Sequence, residues 1–267
     1  MLSGRWKRIN KKTDGMSYLL AIDIGNTNIT AGLFRNKRLM KKLKTPSTEF
    51  SIYSSGLSKI CNETRHGIGR IVISSVVPVT LERVKRLLKD ITGARQLIVG
   101  ENVSAPIRNM YRMKSEVGQD RLIDAFAAKS LYGSPSVIID FGTAITFDAV
   151  SGGGDYLGGL ILPGIEMGLA SLYKKTALLP KVELKRARHI IGRDTVDSMR
   201  GGILFGYGAM CDGLISKYRL LLGKGLKVIA TGGNAKLIKS YAKSIQIVDE
   251  DLTLKGLRLI SESRLAG

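Results

Sequence analysis

The chain has 267 residues, of which 44% are hydrophobic and 24% charged, and its formal net charge is +20. Such a length and balance suit one large or two medium domains with an ample core, and exclude a disordered or fibrous chain. No apolar run reaches membrane-span length, no secretory signal is recognisable, and Cys61 and Cys211 lack disulfide-framework or zinc spacing.

A reducing, cytoplasmic setting is therefore expected. Residues 1–15 are basic and aperiodic, carrying Arg5, Lys7, Arg8, Lys11 and Lys12, and read as a flexible extension ahead of Met16. Basic runs recur from Arg35 to Lys44 and from Lys181 to Arg193. Runs of this kind steer anionic substrates or contact nucleic acid. With no nucleic-acid-binding module they read as solvated faces, so neither nucleic acid nor a membrane is expected as a partner.

In chain order, strand–turn–strand runs to about Phe34, with a third strand near Leu39 to Lys44. Phe50 to Ile60 reads as a helix with Tyr53, Leu57 and Ile60 on one side. Ile71 to Pro78 is a buried strand and turn, Leu81 to Asp90 an amphipathic helix, and Gln96 to Gly100 a short strand. A loop over Ala105 to Val117 leads to a helical stripe from Leu122 to Leu131, with Gly133 as its stop. The second half opens with its own hairpin, then Tyr156 to Gly164 and a helix from Ile165 to Leu172. A basic connector precedes a helix from Val196 to Leu222, whose glycines are expected to interrupt it. Strands at Lys227 to Thr231 and Ile245 to Val248 alternate with helices, the last spanning Leu252 to Ser261. The order predicts an α/β architecture of mixed sheets flanked by helices, with one unit over residues 16–133 and another over 134–267.

The informative feature is a repeat. Leu19-Leu20-Ala21-Ile22-Asp23-Ile24-Gly25-Asn26-Thr27-Asn28-Ile29-Thr30 returns in altered form at Val137-Ile138-Ile139-Asp140-Phe141-Gly142-Thr143-Ala144-Ile145-Thr146-Phe147, about one domain's length later. Each copy is an apolar run ending in Asp, a Gly with small polar residues, then alternating strand periodicity. Neither turn leads into a helix, which excludes a P-loop or dinucleotide fingerprint. Each is instead a hairpin whose tip offers amides and hydroxyls. Gly25 and Gly142 permit positive φ and close backbone approach to an anion, and Asp23 and Asp140 could hold a metal ion against phosphates. Two such tips facing one another would form a nucleotide-phosphate cleft.

Seven motifs in order then carry a family resemblance: Asp23 to Asn28, Ile73 to Pro78, Glu116-Val117-Gly118-Gln119-Asp120-Arg121, Asp140 to Thr146, Gly158 to Gly164, Gly192-Arg193-Asp194-Thr195 and Thr231-Gly232-Gly233. Over residues 17–262 the chain resembles the type III pantothenate kinases, of the actin-like ATPase and sugar-kinase superfamily with two ribonuclease H-like domains. The resemblance implies ATP-dependent phosphorylation of pantothenate to 4'-phosphopantothenate, with Mg2+, a monovalent cation (K+ or NH4+) and a homodimer. It assigns Asp23, Ile24, Gly25, Asn26, Thr27, Asn28, Ile29, Thr30 and Thr143 to ATP, and Asp140 to the cation. It assigns Tyr111, Gly118, Gln119, Asp120, Arg121 and Thr195 to pantothenate, Thr195 from the partner subunit and Asp120 as proton acceptor. The chain departs from the family at Gln119, where alanine is common, at Met113-Lys114, where an asparagine–proline pair is usual, and after Lys44, where it is shorter.

Chemically, a hydroxyl nucleophile wants a carboxylate within hydrogen-bond reach, and Asp120 beside Arg121 suits that; it also suits a helix N-cap, where its pKa would fall. Arg121 offers a fork for the pantothenate carboxylate, or a surface ion pair. Thr195 reads equally as a helix cap. Two further functions remain open on these residues: a different small-molecule kinase of this fold, and a non-catalytic nucleotide-binding regulator.

Overall fold

The computed structural model describes residues 18–64 and 67–263; the basic extension expected over residues 1–15 lies outside them. The first sheet holds β1 (Tyr18–Ile24), β2 (Asn28–Arg35), β3 (Arg38–Pro46), β4 (Ile68–Ser75) and β5 (Arg95–Ile98), in the order β3-β2-β1-β4-β5. The second holds β6 (Ser136–Phe141), β7 (Ala144–Val150), β8 (Tyr156–Pro163), β9 (Lys227–Thr231) and β10 (Ile247–Val248), in the order β10-β9-β6-β7-β8. Both follow one plan: the first three strands form an antiparallel meander, and the fourth and fifth add in parallel beside the first. The sequence repeat is thus a repeat of topology.

Among the described residues seven α-helices clothe the sheets: α1 (Phe50–Asn62), α2 (Pro78–Thr92), α3 (Gln119–Tyr132), α4 (Ile165–Lys175), α5 (Thr195–Leu222), α6 (Ala235–Lys239) and α7 (Leu252–Ser263). Local chemistry sets their ends. Pro78 opens α2, where its missing N–H costs nothing, and Gly93 closes it in the left-handed conformation at φ 61°. Asp194 caps α5, its side chain accepting from Asp197 N at 2.8 Å. Contrary to expectation α5 runs unbroken for 28 residues. Its Gly208 serves packing instead: a Cβ there would fall 2.4 Å from the Tyr241 carbonyl oxygen. The strand expected over Ile245 to Val248 shrinks to two residues, because Gln246 spends its side-chain oxygen on Val228 N, at 2.9 Å.

α1 and α2 cover one face of the first sheet around Leu20, Ile22, Ile29, Ile71 and Ile73. α5 and α6 cover the outer face of the second around Val137, Ile139 and Phe147. The middle layer is α3 with α7. α3 sends Ile123 to the first sheet's core and Ala125 and Ala128 to the second's. α7, last in the chain, returns Leu254, Leu257 and Ile260 to the first sheet. The two helices touch closely at Gly256, where a Cβ would meet Ile123 Cγ2 at 2.7 Å. This layer carries Asp120 to the seam where the two hairpins meet. Among the described residues no helix is long and apolar enough to cross a membrane, and Cys61 and Cys211 are free and buried.

Candidate active site

β1 and β6 each carry an aspartate, Asp23 and Asp140, one residue before their last, and the turns beyond them point at one another. Thr27 Oγ1 and Thr143 Oγ1, one from each tip, share a hydrogen bond at 2.9 Å. Behind that contact lies a cavity of about 490 Å³ whose walls include Asp23, Asn26, Thr30, Asp120, Asp140 and Thr146. Gly25 N donates to Asn28 O at 2.9 Å to close the first tip. Ser47 braces it, its N–H donating to Thr27 O at 3.0 Å and its hydroxyl to Asn26 O at 2.7 Å.

Neither tip glycine has positive φ, so of the two freedoms that glycine permits at Gly25 and Gly142 the conformational one is unused. Their requirement is smallness. A Cβ would sit 3.3 Å from Asn28 O at Gly25, and 3.4 Å from both Ala144 O and Asp140 Oδ2 at Gly142. The left-handed residue on this wall is Gly232, at φ 86°, where a Cβ would strike Asp140 Oδ1 at 2.3 Å.

Register explains why polar groups gather here. Directly paired residues on neighbouring strands share a face. Ser74, Asp23, Thr30 and Lys44 form one row across β4, β1, β2 and β3. Thr231, Asp140, Thr146 and Ile161 form the matching row across β9, β6, β7 and β8.

The carboxylates are crowded. Burial, then the nearby charges of Asp120 and Asp140, raises Asp23 to about 7. Burial, then repulsion from Asp120 and Asp148, raises Asp140 to about 7, with Lys44 opposing the rise. Asp120 is also raised, chiefly by burial, although Arg121 N donates to its Oδ1 at 2.9 Å and the Arg121 charge opposes the shift. The lowering expected from a helix N-terminus is therefore overturned: desolvation outweighs the dipole. Gly118 is the cap of α3, and Asp120 lies in the first turn. One turn on, Asp124 is 3% exposed with Oδ1 lacking a hydrogen-bond partner, and burial followed by Asp140 raises it well above a normal carboxylate.

Arg121 is no surface residue. It is 8% exposed, and its Nε donates to Asp148 Oδ1 at 2.8 Å. Asp148 also accepts from Tyr156 Oη and Thr146 Oγ1, each at 2.8 Å. The guanidinium is thus oriented by a buried anion before any substrate arrives. Tyr111 lies over β8, close enough that a Cβ on Gly158 would meet its ring at 3.1 Å. Its loop is pinned by Met110 N donating to Tyr156 O at 2.9 Å and Tyr111 N donating to Asn109 Oδ1 at 2.9 Å. Gln119 turns toward Gly100 and does not line the cavity. Thr195 lies elsewhere, in a second cavity of about 580 Å³ with Arg193, Asp194 and Met199; the cap of its helix is Asp194, not Thr195.

Residues 19–217 match the family model described as type III pantothenate kinase. The chain belongs to the type III pantothenate kinases. Relatives bearing that name include one from Myxococcus xanthus, 39% identical over 248 residues, covering 91% of this chain and 97% of that one. Another, from Syntrophobacter fumaroxidans, is 39% identical over 251 residues with the same coverage. Among solved structures, component A of (R)-2-hydroxyglutaryl-CoA dehydratase from Acidaminococcus fermentans superposes with TM-score 0.54 at 13% identity, covering 93% of this chain and 99% of that one. The ROK hexokinase from Thermus thermophilus gives 0.50 at 14% identity, with coverage of 93% and 99%. At such identities the likeness concerns the fold alone, which this chain shares with that hexokinase.

For this type III pantothenate kinase, sequence reasoning missed Asp148, Asp124, Ser74 and Lys44. A signal for Asp148 existed, since Thr146 and Asp148 alternate with Ile145 and Phe147 and so share a face. Asp124, three residues past Arg121 inside an apolar helix, was equally visible as a charge in a buried stripe.

Proposed function

We propose that this chain transfers the γ-phosphoryl group of ATP to the primary hydroxyl of pantothenate, giving 4'-phosphopantothenate at the entry to coenzyme A synthesis. One observation carries the reading: the hairpin tips of two topologically identical sheets meet at Thr27 and Thr143 over a cavity that Asp120 enters from a third element. Phosphoryl transfer asks for positioning and charge neutralisation more than covalent chemistry. Residues Asp23 to Thr30 and Thr143 hold the nucleotide in this reading. Gly118, Arg121 and Tyr111 hold pantothenate with Asp120, which accepts the hydroxyl proton, while Gln119 faces away toward Gly100. The upward shift of Asp120 favours that role, because a carboxylate with a raised pKa is the stronger base. Arg121, held by Asp148, presents fixed positive charge beside it.

Among the described residues no group of three or more His, Cys, Asp or Glu is arranged to hold a metal. That suits Mg2+, which binds through one or two carboxylates together with the phosphates it neutralises. Asp23 and Asp140 fit this demand. We assign Asp140 to the monovalent cation as well, since it lines the cavity and its crowded, buried carboxyl gains from a neighbouring positive charge. Exposed apolar side chains at Leu157, Ile161, Met167, Leu178, Ile190 and Ile191 support a homodimer that covers them and brings Thr195 to the partner's pantothenate pocket. The two sheets support a division near residue 133 into two ribonuclease H-like units, and we place the enzyme in the cytoplasm.

A coupled assay of ADP release tests the reaction. Pantothenate-dependent release is expected in the presence of Mg2+ and K+. Release with another acceptor alone would mean a different small-molecule kinase, and ATP binding without release a regulator. Asp140→Ala is expected to lose most activity and its K+ requirement together. Activity that survives and still rises with K+ would put the cation elsewhere.

A further inference from the structure

The two polar rows across the sheets match position by position until their last member. Ser74 answers Thr231, Asp23 answers Asp140, and Thr30 answers Thr146. At the fourth place the first sheet has Lys44 and the second has Ile161, which is 65% exposed. A repeat that keeps its acids and hydroxyls but carries a cation on one side only has an asymmetric task there.

Lys44 faces the site. It lines the cavity together with Asp23, Thr30 and Asp140, and its Nζ reaches across the cleft to the turn after β9. A Cβ on Gly233 would stand 3.3 Å from that nitrogen. Among the described residues it makes no hydrogen bond or ion pair. Its neighbour on the same face, Lys42, is engaged, pairing with Asp251 at 2.6 Å and donating to the Glu250 carbonyl at 3.4 Å. Against these two lysines the cavity carries the acids Asp23, Asp120, Asp140 and Glu250. A polyanion entering such a wall meets net repulsion unless an unengaged cation compensates.

We propose that Lys44 binds the phosphate chain of the nucleotide, reaching over from the first sheet to the β9 turn and so holding the cleft shut around it. The inference rests on the reading of this cavity as the ATP site. An ammonium acts here as a movable point charge, suited to a phosphate oxygen approached from solvent. The basic run from Arg35 to Lys44, which the sequence offers as a solvated edge, is in this view divided by strand alternation. Lys41 pairs with Glu63 on the far face, and Lys44 serves the cleft.

Steady-state kinetics of Lys44→Gln and Lys44→Arg, with calorimetric titration of ATP, tests this. Lys44→Gln is expected to raise the KM and Kd for ATP about tenfold or more, the loss of one charge-assisted contact. The KM for pantothenate should stay within about twofold, and the salt dependence of ATP binding should become shallower. Lys44→Arg, which keeps the charge, should restore most of the ATP affinity. An unchanged KM for ATP in Lys44→Gln overturns the proposal. So does equal weakening toward ATP and pantothenate, which marks a merely structural role. Failure of the unaltered protein to bind ATP at all would instead remove the reading on which the proposal stands.

Discussion

Asp120→Asn is expected to lower kcat by about a hundredfold or more and to leave the Kd for ATP near that of the unaltered enzyme. The substitution is close to isosteric, and the Asn Oδ1 can still accept the Arg121 N–H that holds this side chain at 2.9 Å. What disappears is the capacity to take a proton as the new P–O bond forms. The position also predicts a pH profile. Burial raises the Asp120 carboxyl, so the acidic limb of kcat/KM should lie above the ordinary aspartate range near 3.8. Below that limb the base is protonated and turnover falls; the variant should show low activity without it. Turnover within a few-fold of normal, or an unchanged limb, would assign the proton to another group, with Asp124 the nearest buried candidate on the same helix.

How much of this was readable beforehand follows from the range of the interactions. The hairpins were legible because their signals are local: period-two alternation on either side of an Asp-Gly turn writes β1–β2 and β6–β7 directly into the chain. Their confrontation was legible only through the repeat. The tilt of the Asp120 pKa was not, because the helix end that lowers it is local whereas the burial that raises it comes from elements packed around α3. The surface ion pair held open for Arg121 failed for the same reason. Its partner Asp148 stands 27 residues away on β7, and only the sheet brings them to 2.8 Å. Nor does anything in the last helix announce that α7 returns to the first sheet. An apolar stripe fixes which face is buried, not against what. Gly25 and Gly142 teach a related point, since a glycine in a motif signals either unusual φ or missing volume, and here it is the latter.

Asp23→Asn separates the two demands on these carboxylates: the variant should lose turnover yet melt higher than the parent at pH 8 without nucleotide. Asp23 titrates near 7 in the folded state, raised from 3.8 by burial and by Asp120 and Asp140, while Ser74 pulls the other way. A carboxyl with a raised folded pKa binds its proton more tightly folded than unfolded. Its contribution is therefore fully favourable below the unfolded value and is lost as pH rises through about 7. A shift of that size has a ceiling of about 4 kcal/mol. Entry of water and ions to a partly exposed side chain reduces it, and roughly 1–2 kcal/mol is expected, or about 3–6 °C in Tm. Asparagine imitates the neutral acid at every pH, so the advantage should be largest above pH 7 and shrink toward pH 4. Added Mg2+ with ATP should erase it as well, by restoring the counter-charge that the carboxylate is built to meet. Differential scanning at pH 5 and pH 8, with and without Mg-ATP, reads all four conditions. A variant that melts lower than the parent at pH 8 would show that Asp23 is held by favourable contacts rather than strained by its neighbours, and the site would then be poised for an anion's cation without any stored repulsion to draw it in.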